Sequence, residues 1–368
     1  MLLRRLELSD FRNYRNLELE PSPGLNLFIG PNAQGKSNLL EAIALVGTGK
    51  SFRAGRDGDV VRTGSDRAVL RATAAARARE INLACAIEHE GRASRKTFTV
   101  NGNGVRYAGY LGRLRVVTFV PLDLQLVTGT PALRRSFLNR ALSQSEPRYY
   151  HELARYRRAL QQRNALLKTG DAADKALLDV YGNTLVEAGA QIMLARAAML
   201  ASLQTEAARA HRRFAPDEAL ELRYEPNCPL ASAEPQPVAD ALRTRLAETA
   251  EQERARGTTV AGPHRDDVEL LLDGVSLEAY GSQGQQRTAV LALKVAEYNV
   301  MRERTDDAPV LLLDDVLSEL DEARATAFLA EMDAYEQAFV TATHSPKVLS
   351  ANARSARVVA GTVEWVTC

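Results

Sequence analysis

Eight residues, Gly30-Pro31-Asn32-Ala33-Gln34-Gly35-Lys36-Ser37, constrain this chain more than any others, because they match G-x-x-x-x-G-K-[ST] at the place where that pattern has a physical meaning. The apolar run Leu25 to Ile29 precedes them, and Leu39, Leu40, Ile43 and Val46 recur at helical spacing after them, until Gly47. Strand, glycine-rich loop and helix in that order form a cradle for phosphate oxygens. The glycines let backbone N–H groups turn inward, the helix N-terminus favours negative charge, Lys36 reaches the β- and γ-phosphates, and the Ser37 hydroxyl can ligate Mg²⁺. A glycine-rich turn that only caps a helix needs no lysine, and this chain has few. All eight residues are therefore expected to bind ATP, with Mg²⁺ as its companion ion.

A second element completes the phosphate chemistry. Pro309-Val310-Leu311-Leu312-Leu313-Asp314-Asp315 reads as a buried parallel strand delivering a carboxylate at its C-terminal end, where α/β sheets hold their ligands. Asp314 is expected to hold Mg²⁺ together with Ser37, and Asp315 to orient or deprotonate the attacking water. Many ABC-type ATPases carry glutamate at that point; the shorter aspartate predicts slow hydrolysis. Ser282-Gln283-Gly284-Gln285-Gln286 opens a helix with Val290, Leu291, Leu293 and Val295 on its apolar face. It reads as a capping box, with Ser282 at the N-cap and Gln285 three residues on, and also as an ABC signature that meets the γ-phosphate of an opposite subunit. Ser318-Glu319-Leu320-Asp321 has the spacing of a D-loop, with Asp321 its key residue. His344 falls at the place of a switch histidine, and Gln125, or Asp123 in its stead, at that of the glutamine loop.

The pattern predicts an α/β fold: an ABC-type P-loop ATPase head with an antiparallel β subdomain, interrupted by an inserted α-helical arm. Leu6 to Ser9 and Leu17 to Glu20 alternate as half-buried strands, and Val69 to Ala72, Ile81 to Ile87, Thr97 to Val100 and Val116 to Val120 read as antiparallel sheet. From Pro131 to about Arg256 helix formers dominate, and strand character returns at Val268 to Leu272. The expected division is 1–125 for the first half of the head, 126–256 for the arm and 257–368 for the second half. A last helix and strand are expected to end at Thr341 to His344.

Composition bounds the rest. At 368 residues, two domains are expected. The start Met1-Leu2-Leu3-Arg4-Arg5 lacks a signal peptide's apolar core, and no apolar run is read as approaching the roughly 20 residues of a membrane span, so a cytoplasmic location without membrane is expected. Cys85, Cys228 and Cys368 are widely spaced and odd in number, which supports neither disulfides nor zinc. A net charge of +1 means that any nucleic-acid contact must come from a local patch. Pro131 to Lys168 supplies one, with nine basic residues against two acidic. Such a run is often only a solvated face. Arg134, Arg135, Arg155 and Arg158 are the expected DNA contacts, since arginine forks suit phosphate oxygens.

Several stretches together are similar to the RecF family of bacterial DNA-repair proteins, ATPases of the ABC/SMC-like class. They are Leu6 to Tyr14, Gly30 to Ala42, Lys50-Ser51-Phe52-Arg53, Arg134 to Leu138, Gln162 to Lys168, Gly262 to Asp267, Ser282 to Gln286 and Leu312 to Asp321. Asn139 departs from the pattern, standing where that family has an acidic residue. The resemblance implies an SMC-like head and an ATP-dependent homodimer on double-stranded, gapped or junction DNA. It further implies weak, DNA-stimulated ATP hydrolysis and help in loading the RecA recombinase together with RecO and RecR. The alternatives are a transporter's nucleotide-binding subunit, which the long, locally basic insert opposes, and another ABC/SMC-type ATPase. A small-molecule kinase would not need Ser282 to Gln286 or Asp321.

Overall fold

A computed structural model describes residues 1–76, 79–90, 93–170, 174–230, 232–316, 328, 334–344 and 353–366. The chain forms two units, one of 1–124, 210–216 and 287–368, the other of 125–209 and 217–286.

The first unit contains two six-stranded sheets. One is antiparallel, in the order β2 (Tyr14–Leu19), β1 (Leu2–Phe11), β4 (Arg67–Ala76), β5 (Arg79–Glu90), β6 (Ala93–Val100) and β7 (Asn103–Val105). Its last hairpin turns on Asn101 and Gly102 at φ 50° and 78°, the left-handed pair that a two-residue turn between twisted strands requires. The other has the order β15 (Thr362–Trp365), β14 (Arg354–Val359), β3 (Gly24–Ile29), β13 (Gln337–Ala342), β12 (Val310–Leu313) and β8 (Val116–Phe119), parallel throughout except for the hairpin β14–β15. Val116 to Val120, expected in the antiparallel sheet, is thus corrected: β8 runs parallel to β12, and its four residues are all buried, the continuous apolar pattern of a parallel strand.

The helix Lys36–Thr48 touches strands of both sheets, and every residue from Leu39 to Thr48 is buried. A helix apolar on all sides is a core helix. Ile43, Leu45 and Val46 join Phe28, Leu70, Leu83, Val310 and Phe339 in one core, which fixes the end of the helix that carries Lys36 and Ser37.

The second unit holds the helices Pro131–Ser145, Pro147–Leu167, most of Lys175–Phe214, Pro235–Glu248 and Ala250–Arg256. Three begin with proline, which fits the first turn because its missing N–H has no partner there anyway. They accompany a small sheet, β9 (Leu220–Glu225), β10 (Asp267–Leu272) and β11 (Val275–Ser276). β9 pairs with β10 from Leu220↔Leu272 to Glu225↔Asp267. β9, inside the expected arm, thus pairs with β10, inside the expected second half of the head; residues 217–286 lie in one unit, and the other resumes at Arg287, inside the helix Gln283–Thr305. The helix Lys175–Phe214 also corrects the expectation that no segment nears membrane length, since it is long and apolar enough to cross a bilayer. More than half of its most apolar window is buried within the protein, as in a core helix.

Candidate nucleotide site

At the end of β3 the chain passes under β14 so closely that a Cβ on Gly30 would lie 2.3 Å from the Val358 carbonyl oxygen. Gly35 caps the following helix at φ 116°, and a Cβ there would meet the Asn13 side chain at 2.6 Å. Only glycine satisfies both places. Between them the loop is braced from outside. Asn13 Nδ2 donates to the Gln34 carbonyl (3.0 Å), the Tyr14 hydroxyl to the Gly35 carbonyl (3.0 Å), and the Gly361 N–H to the Gln34 carbonyl (3.0 Å).

Lys36 is buried, and its ammonium donates to the carbonyls of Gly30 (2.6 Å) and Pro31 (2.9 Å), folding back across its own loop. Burial lowers its pKa, opposed by the charges of Asp315 and Asp314. The Ser37 hydroxyl donates to Asp314 Oδ1 at 2.7 Å, and the Thr341 hydroxyl donates to the same oxygen at 2.9 Å. Asp315, at φ 52°, donates its N–H to Thr341 Oγ1 at 2.8 Å. Helix start, β12 end and β13 end therefore converge on one carboxylate. Hydroxyl and carboxylate oxygens are hard donors that suit Mg²⁺, which takes few protein ligands and fills its remaining positions with phosphate and water. Among the described residues no group of three or more His, Cys, Asp or Glu could cage a metal by itself, so an ion held by Ser37 and Asp314 fits that mode.

One residue that sequence reasoning gave no role anchors the helix that follows the loop to two other segments. Glu41 is fully buried and accepts from Arg12 Nε (2.9 Å) and Nη2 (2.7 Å), Ser51 Oγ (2.6 Å) and Arg53 Nε (2.9 Å). Burial alone would raise its pKa, but the hydrogen bonds of Arg12, Arg53 and Ser51 and the charge of Arg53 hold it below the usual value. A carboxylate on the apolar helix that follows the loop was the available signal, since such a charge needs partners. Thr341, hidden in the strand-like run before His344, offered none.

The other expected residues fare unequally. Ser282 and Gln285 form the reciprocal capping box, Gln285 N–H to Ser282 Oγ (3.2 Å) and Ser282 N–H to Gln285 Oε1 (2.9 Å), while Ser282 and Gln283 are exposed. Gln286 Nε2 donates to the Gly281 carbonyl (3.2 Å). Gln125 is exposed at the start of a short helix; Asp123 is buried, accepting the Val120 N–H (2.9 Å). His344 is exposed beyond β13 beside the Thr343 hydroxyl (3.0 Å). Asp321 and the rest of the D-loop lie outside the described residues.

Arg134 is the least exposed of the expected DNA contacts. It is buried in a two-point pair with Asp267 (2.7 and 2.9 Å) and also donates to the Gly129 carbonyl (2.8 Å), so its guanidinium faces inward. Arg163 is likewise buried against Glu253 (2.6 Å). Arg155 is half-exposed but held by Glu152 (2.9 Å) and Glu187 (3.0 Å). Arg158 is exposed, and Arg135 is partly so, donating to the Asp266 carbonyl (2.6 Å).

Residues 2–363 match the family described as RecF/RecN/SMC N terminal domain. The DNA replication and repair protein RecF of Symbiobacterium thermophilum is 43% identical over 99% of this chain and 98% of its own length. RecF of Geobacillus thermodenitrificans is 39% identical over 93% of each. A solved structure of "the recombination mediator protein RecF-ATPrS in RecFOR pathway" superposes with TM-score 0.91 at 31% identity, covering 100% of this chain and 98% of that one. An Smc head, at TM-score 0.57 and 16% identity over 100% of this chain and 98% of that one, shares the fold alone. A phosphate loop that ends in Lys36 and Ser37, an Asp314 carboxylate beside it, and likeness from end to end place this chain in the RecF family of DNA replication and repair proteins.

Proposed function

We propose that this chain is an ATP-dependent DNA-binding protein of recombinational repair and replication restart, in which nucleotide controls assembly more than it powers turnover. One observation carries the reading: Lys36, Ser37 and Asp314 converge at the C-terminal ends of the interior strands β3 and β12 in a chain that superposes over its full length on a RecF solved with an ATP-type ligand. ATP would occupy Gly30 to Ser37, with Mg²⁺ on Ser37 and Asp314, and Asp315 would orient water for slow, weakly DNA-stimulated hydrolysis. Gln125 and His344 are the further candidates near the γ-phosphate. Ser282 to Gln286, with Asp321, would complete the site of a second copy, so that ATP joins a homodimer. Exposed Arg158, with Arg135 and Arg155, would meet DNA backbone. Gapped or junction DNA, partnership with RecO and RecR in loading RecA, and a cytoplasmic location complete the proposal. Gel shifts on gapped, duplex and single-stranded DNA, each with and without ATP, test it. ATP is expected to strengthen binding to gapped DNA most; binding that is absent or indifferent to ATP rejects the reading.

A further inference from the structure

The inserted unit contains a cleft of about 230 Å³ that plays no part in the nucleotide site. Its chemistry is one-sided. Arg135, Ser136, Asn139 and Arg157 line it, and among the described residues no carboxylate does. Arg196, also in its wall, is neutralised by buried Asp266 at 2.8 Å, and neighbouring Arg134 by Asp267. Arg135 and Arg157 are left in excess. Among the described residues Arg157 has no hydrogen-bonded or ionic partner, and it is exposed.

Asn139 shows which way the cleft is polarised. Its Oδ1 accepts from the Tyr149 hydroxyl and from Arg196 Nη2 (3.1 Å). A guanidinium can only donate, so the amide oxygen must face Arg196 and the NH₂ is left as a donor without a partner among the described residues. His264 adds no acceptor. Its Nε2 lies 3.1 Å from the Thr259 carbonyl and must carry the proton, so Nδ1 accepts from the Tyr156 hydroxyl at 2.6 Å. Burial, with Arg265, Arg135 and Arg196 close by, keeps that imidazole neutral down to about pH 4. The remaining wall, Leu153, Leu160 and Ile192, is apolar and strengthens any charge interaction beside it.

We infer that this cleft is a second oxyanion site, which takes a phosphate group on Arg135, Arg157, Ser136 and the Asn139 amide. Two guanidinium groups, a hydroxyl and an amide NH₂, supplied by two helices, exceed what the two coplanar oxygens of a carboxylate use, and they suit the larger oxygen set of a phosphate. The phosphate belongs either to the DNA backbone or to a free phosphate compound. The DNA source rests on the function proposed above; the site itself does not.

Two arms separate these sources. In the first, the full chain with ATP is titrated onto gapped DNA at several salt concentrations. Arg157→Ala and Asn139→Asp, the latter keeping an oxygen toward Arg196 while placing a negative charge in the cleft, should each weaken binding on the order of ten-fold and lower the salt slope by about one. Arg148→Ala, an exposed arginine outside the cleft, is the control and should change neither. In the second arm, Lys36→Ala silences the phosphate loop, and pyrophosphate is expected to raise the thermal midpoint of that variant but not of Lys36→Ala/Arg157→Ala. Loss in the DNA arm assigns backbone phosphate, and loss in the pyrophosphate arm alone assigns a free phosphate compound. Should the parent bind no DNA, the proposed function fails while pyrophosphate still decides this site. Unchanged behaviour in both arms, or an equal loss with Arg148→Ala, overturns the inference; if Asn139→Asp fails to fold, exposed Arg157 carries the test.

Discussion

Lys36 has a structural role beside its proposed one, and the two can be measured apart. Its ammonium holds the carbonyls of Gly30 and Pro31, and it is proposed to reach the phosphates of ATP, so Lys36→Ala should abolish ATP binding and also cost about 1 kcal/mol for the lost loop contacts. Calorimetric titration and urea unfolding check the two parts. Glu41 acts purely through others. Glu41→Gln leaves Arg12 and Arg53 without their counter-charge; removing one end of a buried pair costs about 3–5 kcal/mol, and because both arginines are partly exposed roughly 2–3 is expected here. Urea midpoints measure it, and a loss below 0.5 kcal/mol, the size of a neutral surface change, would make the cluster incidental. His264 gives a pH signature. Burial lowers it from 6.5 to about 4, so the unfolded chain takes up a proton below pH 6.5 that the folded chain refuses until about pH 4. The associated stability is full above pH 6.5 and lost as pH falls toward 4, on the order of 3 kcal/mol in all. His264→Gln should flatten the parent's decline in stability over that window, and parallel curves would show that the ring titrates normally.

At the scale of elements, the phosphate loop is a product of its neighbours. Gly30 N–H donates to the Ala342 carbonyl (3.3 Å) at the end of β13, and the Val358 carbonyl on β14 stands where a side chain would begin. Gly30→Ala must push backbone against backbone, so a loss of about 1–3 kcal/mol is expected, with weaker ATP binding because the loop itself moves. Thermal unfolding with and without ATP reads both effects. A variant as stable as the parent would mean that β14 yields freely. The strands that brace the loop, β14 and β15, were not anticipated from sequence: Arg354 to Val359 alternates no more strongly than many loops do, and its partner β3 lies over three hundred residues earlier. β9 was missed for a similar reason, a short alternating run between helices that becomes a strand only against β10.

For the whole molecule, the proposed ATP-dependent dimer makes a demand on Ser282. Ser282 already caps its helix, so a bulky replacement also removes about 1 kcal/mol of capping. Ser282→Ala removes the cap without adding bulk. Sedimentation with ATP should show dimers for the parent, fewer for Ser282→Ala and none for Ser282→Arg, while monomer affinity for ATP stays near that of the parent. Dimers of Ser282→Arg equal to the parent's would reject the signature role.

The sequence by itself determined the phosphate loop, the Asp314 strand, the capping box and the family, because each is a local pattern of residue types whose physics needs no distant partner. It also determined that the head is interrupted. Only the tertiary structure decided what surrounds them. Arg134 and Arg135 are adjacent in a basic run, yet one is buried against Asp267 and the other opens onto a cleft, since burial depends on which elements pack against that face. Glu41 draws Arg12 and Arg53 from two separate segments, and Thr341 joins Asp314 to Asp315 across two strands. β9 and β10, about forty residues apart in sequence, become strands by pairing with each other. Such pairings are set by long-range packing and hydrogen-bond satisfaction, and no window of local sequence contains both partners.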